Sequence, residues 1–342
     1  MNSAADMVLT APARGVDARG QAIAFLIMLA IFIAAPFFTY PVFLMKILCF
    51  ALFACAFNLL IGYGGLLSFG HALYFGWASY ICAHLAKVGT IKLPYWAGAW
   101  NWLVVPLPPL SPELAILGGT LTAAGLGLIT GALAIRRQGI YFAMITLALA
   151  QMMYFFALQA PFTGGEDGIQ AVPRGRLFGL ISLADNMTMY VLVLAIFLGC
   201  FLLIYRIIHS PFGEVLKAIR ENEPRAVSLG YKSDRYKLVA FVLSATLTGV
   251  AGATKALVFG LASLTDVHWT MSGEVVLMTL VGGLGTVFGP VAGAFVIEAM
   301  ENYLAANGQW VTVTEGAVFV AFVLLFRRGI VGEIGQFMRI RL

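Results

Sequence analysis

Ionisable side chains are scarce in the apolar stretches of this sequence, and their positions limit the chemistry that the chain could perform. Five stand inside long apolar runs: Lys46, His71, Lys255, Glu274 and Glu298. A charge at the centre of a membrane costs about 2.5–3.5 kcal/mol on insertion scales, so such residues need a structural or functional reason. Proton-coupled transport uses relays of Asp, Glu and His. The small number of acidic residues inside these apolar runs therefore argues against proton coupling.

The individual roles of these five residues are open at this stage. His71 directly follows a glycine-rich stretch, where it either lines a pathway or donates a hydrogen bond between helices. Lys46 and Lys255 are long enough to reach toward a membrane interface. Glu274 and Glu298 lie near the ends of a broken apolar segment, where we expect water to reach them.

Enzymatic motifs are absent from the sequence. It contains no G-x-x-x-x-G-K-[ST] phosphate loop and no H-E-x-x-H zinc motif, so neither nucleotide hydrolysis by that loop nor zinc hydrolysis is expected. Cys49, Cys55, Cys82 and Cys200 lie in apolar runs and form no C-x-x-C pair, which favours buried thiols over a metal site or a disulfide. We expect no catalytic residue, no metal and no cofactor in this chain.

Composition places the chain in a membrane. Of its 342 residues, 61% are hydrophobic and 11% are charged, whereas a soluble domain has about 25% charged residues. Apolar runs long enough to cross a bilayer predict an all-α integral membrane protein with about eight to ten transmembrane helices. The runs are Ala22–Tyr40, Val42–Ile61, Leu66–Ala86, Leu114–Ile135, Ile140–Ala160, Thr188–Ile208, Leu238–Phe259, Gly273–Met300 and Val311–Phe326.

The distribution of positive charge predicts the orientation, because cytoplasmic loops carry an excess of Lys and Arg. With the N-terminus and the C-terminal tail both inside, fifteen basic residues fall on the inner side and four on the outer side. This arrangement predicts a cytoplasmic segment at residues 1–21, a membrane domain at 22–326 with a cytoplasmic loop at 210–237, and a cytoplasmic tail at 327–342. We expect no nucleic-acid partner.

One apolar run contains a glycine-rich interruption. Gly273–Met300 reads Gly-Gly-Leu-Gly-Thr-Val-Phe-Gly-Pro in its middle, which is poor material for a continuous helix. If this run enters the membrane and returns, the four-Arg tail lies inside; a kinked span with the tail outside is the alternative. We favour the re-entrant pair of half-helices, because irregular backbone is tolerated at membrane depth when protein surrounds it.

A second glycine-rich interruption lies in the first half of the chain, from Gly62 to His71. Both stretches contain Gly-Gly-Leu followed closely by another glycine. Corresponding interruptions in two halves of a transporter indicate its binding region, although chance similarity between glycine-rich segments is a real alternative. The interruption in the second half supplies five candidate pathway residues: Gly282, Gly283, Gly285, Gly289 and Pro290.

The loop at residues 210–237 is the most charged stretch of the chain. Pro211 and Gly213 precede a predicted helix from Glu214 to Glu221, on which Val215, Ala218, Ile219 and Asn222 share one face. A second helix is predicted to start at Pro224, capped by Glu223, and to end at Gly230. The loop is either a solvated linker or a docking element for a cytoplasmic partner.

Four motifs in order resemble LivM-type permeases of the branched-chain amino-acid (or urea and amide) importer family. They are NLLIGYGGLLSFGHALYFGWASY, then YFAMITLALAQMM with TGGEDGI, then GEVLKAIRENEPRAVSLG, and last LMTLVGGLGTVFGPVAGA. The similarity runs from about Asn58 to Phe326. It implies an ABC importer permease fold in a bacterial inner membrane.

The resemblance also implies function and partners. The chain would import branched-chain or related hydrophobic amino acids, urea or short amides, together with a LivH-type permease, two ATPases that use ATP, and a periplasmic binding protein. The alternatives are an ion-coupled secondary transporter and a passive small-solute channel. The implied ATPase-coupling residues are Glu214, Val215, Lys217, Ile219, Arg220, Glu221, Arg225 and Gly230. Further pathway residues implied by the resemblance are Gly64, Gly65, Ser68, Gly70 and His71.

Overall fold

The computed structural model of the protein describes residues 18–87, 110–304, 313, 314, 316, 317, 320 and 329–337. Most of the predicted N-terminal segment 1–21, residues 88–109, most of the last apolar run Val311–Phe326 and both ends of the tail lie outside these residues. Elsewhere the chain is almost entirely helical, as its long apolar runs predict.

The helices follow the predicted runs closely. Those used below are α1 (Ala18–Ala34), α2 (Pro41–Asn58), α3 (His71–Lys87), α4 (Pro112–Ala134), α5 (Ile140–Gln159), α6 (Asn186–Ile208), α7 (Pro211–Glu221), α8 (Glu223–Ser228), α9 (Ser233–Phe259), α10 (Trp269–Gly282), α11 (Gly289–Leu304) and α12 (Gly329–Phe337). Six described segments are long and apolar enough to cross a membrane, and they contain α1, α2, α4, α5, α6 and α9. The prediction of an all-α membrane protein is confirmed.

Helix α9 lies at the centre of the bundle, where it packs on α2, α3 and α4. Small residues allow this close packing: a Cβ added at Gly252 would collide with the Phe75 carbonyl, and one at Gly119 would lie 2.5 Å from the Ala78 carbonyl oxygen. Small interfacial residues of this kind drive helix association in membranes, where the hydrophobic effect between helices is weak. The exposed faces of α1 and α4 are apolar, as expected for contact with lipid.

The first glycine-rich interruption, residues 62–70, separates α2 from α3 and is called the first break below. The end of α2 continues as one π-helical turn, Leu59–Tyr63, and then closes with two hydrogen bonds, from Gly65 N to Ile61 O and from Leu66 N to Leu60 O. Gly65 has a φ of 69°, the left-handed conformation with which a glycine commonly ends a helix. The prediction that the third span starts at Leu66 is therefore wrong: its helix begins at His71.

The second interruption, residues 283–288, is called the second break below, and it joins α10 and α11 into a hairpin. A Cβ at Gly282 would collide with the Gly289 carbonyl, and one at Gly293 with the Met278 carbonyl, so the two helices run antiparallel in close contact. With 14 and 16 residues they are about 21 and 24 Å long, shorter than the roughly 30 Å hydrocarbon core. The predicted broken segment is confirmed; its re-entry into the membrane stays a prediction.

Loops that the charge pattern assigns to one side of the membrane contact one another in the structure. Ile169 and Ala262 form an antiparallel bridge, and Val172 N donates to Gly260 O at 2.9 Å. A short hairpin of β1 (Arg176–Leu177) and β2 (Ile181–Ser182) lies in the same loop as Val172. These contacts agree with the predicted order of loops, and the absolute orientation stays a prediction.

Candidate coupling site at the two glycine breaks

Two short helices, α7 and α8, form the charged loop and are called the coupling pair below. The Ser210 side chain caps α7 at Gly213 N, and the Asn222 side chain caps α8 at Arg225 N. The prediction of Glu223 as the second cap is wrong, because Glu223 is the first residue of α8 and its carboxylate pairs with Lys237 at 2.6 Å. Gly230 follows the end of α8 with a φ of 91°, as predicted for a helix-ending glycine.

The buried face of α7 differs from the predicted one. Leu216 is fully buried and Ile219 is only 2% exposed, whereas Ala218 is exposed and Val215 is half-buried. The expectation that Val215 and Ile219 form a free docking face is therefore wrong for Ile219, because it is part of the buried interior. The exposed apolar residues of the coupling pair are instead Val227, at 51%, and Leu229, at 71%, at the end of α8.

The two glycine breaks, which the sequence paired by their similarity, lie in direct contact. Asn58 at the end of α2 joins them with both ends of its amide: Nδ2 donates to Thr286 O at 2.8 Å, and Oδ1 accepts from Gly285 N at 3.0 Å. A Cβ at Gly62 would collide with Asn58 Oδ1 and approach Gly285 N to 2.8 Å. A residue larger than glycine at position 62 would leave no room for the contact between the two breaks.

The coupling pair also reaches the first break. Arg220 Nη1 donates to Gly62 O, and the arginine side chain lies over Gly65, where an added Cβ would be 2.7 Å from Arg220 Cγ. A Cβ at Gly64 would contact Leu216 at 3.8 Å. Arg220, predicted as a coupling residue, and Gly65, predicted as a pathway residue, therefore lie in contact.

Ser68, Gly70 and His71 occupy a different, fully buried cluster. His71 Nδ1 lies 3.0 Å from Ser68 Oγ, and His71 Nε2 lies 2.9 Å from Ser244 Oγ on α9. Ser244 in turn donates to Ala56 O at 2.6 Å, so it must accept a hydrogen bond from His71 Nε2. The network therefore places a proton on Nε2. Of the two open roles for His71, this geometry favours hydrogen bonding between helices.

Two lysines inside the predicted spans pair with acids instead of reaching an interface. Lys46 on α2 lies 2.7 Å from Glu298 and 2.6 Å from Glu301, both on α11. Lys255 on α9 lies 2.6 Å from Asp266, and both residues are buried. Glu298 is also buried, so the expectation of water near its carboxylate is wrong. Pairing of this kind is the usual solution for charges at membrane depth.

The remaining predicted residues are distributed between the surface and the hairpin. Glu214 pairs with Lys217 at 2.9 Å, while Glu221 and Arg225 are exposed. Gly282, Gly289 and Pro290 are buried within the hairpin.

An apolar cavity of about 640 Å³ lies between α1 and α11, and none of the pathway candidates lines it. Their role in a pathway stays a prediction.

Sequence reasoning missed Asn58, Thr286, Leu216 and Asp266. Asn58 carried a usable signal, because it is an amide at the end of an apolar run and immediately before a glycine-rich break. Thr286 contributes only a backbone carbonyl to the contact, and nothing in its residue type indicates that.

Comparison with known proteins places these features in a family. Residues 41–326 match the sequence model of the family described as "Branched-chain amino acid transport system / permease component". The chain is 24% identical, over 80% of its length, to the high-affinity branched-chain amino acid transport system permease protein LivM of Escherichia coli and to that of Salmonella typhimurium. It spans about 65% of the length of these two relatives.

Two further relatives match shorter parts of the chain. A probable branched-chain amino acid transport permease protein LivH of Methanocaldococcus jannaschii is 29% identical over 37% of this chain and 38% of its own length. The ribose import permease protein RbsC of Bacillus subtilis is 28% identical over 53% of this chain and 58% of its own length. No solved structure matches the chain.

Proposed function

Because the chain belongs to the family of permease components of branched-chain amino acid transport systems, we propose that it is a membrane subunit of an ATP-driven importer. It moves branched-chain or related hydrophobic amino acids from the periplasm to the cytoplasm across a bacterial inner membrane. Its partners are a LivH-type permease, two cytoplasmic ATPases and a periplasmic binding protein. The termini and the coupling pair face the cytoplasm.

The observation that carries the proposal is the coupling pair itself. The sequence contains no phosphate-binding loop, so the energy of ATP must arrive through contact with another protein. α7 and α8 are two capped helices, of which α7 contacts the glycine breaks. Both present charged residues outward, with Val227 and Leu229 exposed at the end of α8. An exposed apolar group with a charged rim suits helix-in-groove recognition. The ATPase therefore binds here.

Variants of the exposed face test the docking. We expect Val227→Asp combined with Leu229→Asp to remove the ATPase from the purified importer, because two carboxylates would enter an apolar interface. Leu180→Asp is the matched control, since Leu180 is 86% exposed in the turn between β1 and β2. The measurement is the amount of ATPase that co-purifies with each variant. A double variant that retains its ATPase at the level of the control would place the docking surface elsewhere.

Uptake into vesicles tests the substrate and the energy source. Proteoliposomes with the whole importer, its binding protein and internal ATP should accumulate labelled leucine. Binding measurements on the periplasmic protein then decide between hydrophobic amino acids, urea and short amides. Accumulation driven by an ion gradient without ATP would instead support the secondary-transporter alternative.

A further inference from the structure

Arg220 connects the coupling pair to the transmembrane region through the end of α2. The backbone hydrogen bonds from Gly65 N and Leu66 N use the carbonyls of Ile61 and Leu60. Gly62 O receives its hydrogen bond from the guanidinium of Arg220. Carbonyls at a helix C-terminus form its negative pole, and a permanently charged guanidinium with five donors is well suited to bind there.

The contact continues from the first break into the second. Gly62 O lies 3.4 Å from the position of a Cβ on Gly285, and Arg220 Nη1 lies 3.6 Å from the same position. Asn58 fixes the adjacent backbone of the second break through its bonds to Gly285 N and Thr286 O. The guanidinium, the end of α2 and the turn of the hairpin therefore form one contiguous group.

The rest of α7 is positioned so that movement of the coupling pair is transmitted to the Arg220 guanidinium, the end of α2 and the turn of the hairpin. Leu216 and Ile219 bury the inner face of α7, and Leu216 contacts the region of Gly64. Lys237 ties α8 to the first turns of α9 through Glu223. α7 therefore has little freedom to move without also moving the contact between Arg220 and Gly62 O.

We propose that Arg220 is the positioning residue that transmits movement of the ATPase-bound coupling pair to both glycine breaks. The inference rests on the proposed function, because it requires an ATPase at the coupling pair. In this mechanism α7, the end of α2 and the turn of the hairpin move as one unit. The glycines permit the movement, since the backbone there has no side chains to unpack.

Substitution of Arg220 separates transmission from docking. In proteoliposomes with the whole importer, we expect Arg220→Ala to retain its ATPase and to continue hydrolysing ATP. Uptake per ATP hydrolysed should fall by about tenfold, within the usual range of coupling between sites. Arg220→Lys should restore part of the ratio, because an ammonium can donate to Gly62 O but lacks the planar fork. Arg220 is exposed apart from this contact, so its truncation should leave the fold intact.

Arg206→Ala is the matched control, because Arg206 is an exposed arginine on the last turn of α6, near the coupling pair. It should leave uptake per ATP unchanged. If Arg220→Ala also left the ratio unchanged, or lowered uptake only in proportion to the amount of assembled importer, Arg220 would be a structural residue and the inference would be overturned. If the unmodified chain bound no ATPase, the proposed function would fail first.

Discussion

Helix α2 holds the α10–α11 hairpin at two levels, and the chemistry of the two contacts differs. Near the start of α2, Lys46 forms ion pairs with Glu298 and Glu301 on α11. Twelve residues later, about 18 Å along the helix, Asn58 binds the turn of the same hairpin through two neutral hydrogen bonds. One helix therefore fixes the hairpin by charge at one end and by an amide at the other.

The difference indicates which end of the hairpin can move. Breaking a buried ion pair leaves a poorly solvated charge, which is strongly unfavourable. Neutral hydrogen bonds contribute only about 0.5–1.5 kcal/mol each and can exchange partners. We therefore expect the end at Lys46 to stay fixed as an anchor and the end at the glycine breaks to be able to shift.

Removal of the anchor should have the largest effect on stability. Lys46→Met removes the ammonium from between Glu298 and Glu301 and leaves two carboxylates close together, which we expect to cost about 3–5 kcal/mol. Thermal and denaturant unfolding in detergent measures the change. Glu301→Gln is the control, because Glu301 is partly exposed and its loss should cost less than about 1 kcal/mol. Equal losses for the two variants would mean that the ion pair is not an anchor.

Removal of the amide should affect stability less and transport more. Asn58→Leu keeps the size of the side chain but leaves Gly285 N and Thr286 O without their present partner, which we expect to cost about 2–3 kcal/mol. The same unfolding measurement, combined with uptake per ATP in proteoliposomes, tests this prediction. Uptake per ATP should fall, because movement of the first break would no longer be transmitted to the second break. A variant with full uptake per ATP would show that Asn58 only packs the bundle.

The sequence predicts helices well because membrane spans depend mainly on length and apolar composition. Ile140–Ala160 and Thr188–Ile208 correspond to α5 and α6 within about two residues. Two capped helices in the charged loop were predictable from Pro, Gly and cap residues. The two glycine-rich stretches, which the sequence paired by similarity, lie in contact, and their role in a binding region stays a prediction.

Side-chain partners across the bundle were not predictable, because they depend on which helix faces lie together. Ile219 fits an exposed stripe by its spacing, yet α7 is rotated so that Leu216 and Ile219 are both buried. Lys255 finds Asp266 only because the chain turns back after α9. Asn58 acts on the backbone of the second break, and backbone groups have no sequence signature.

The most direct test of common movement is a distance measurement between α7 and the second break. Spin labels at Ala218 and Leu284, two exposed positions, report on that pair in a variant without the four native cysteines. A second pair, at Leu180 and Leu284, reports movement of the break relative to the loop that carries β1 and β2. On binding of ATP to the assembled importer, the first distance should stay constant while the second changes. A first distance that changes while the second stays constant would contradict transmission through Arg220.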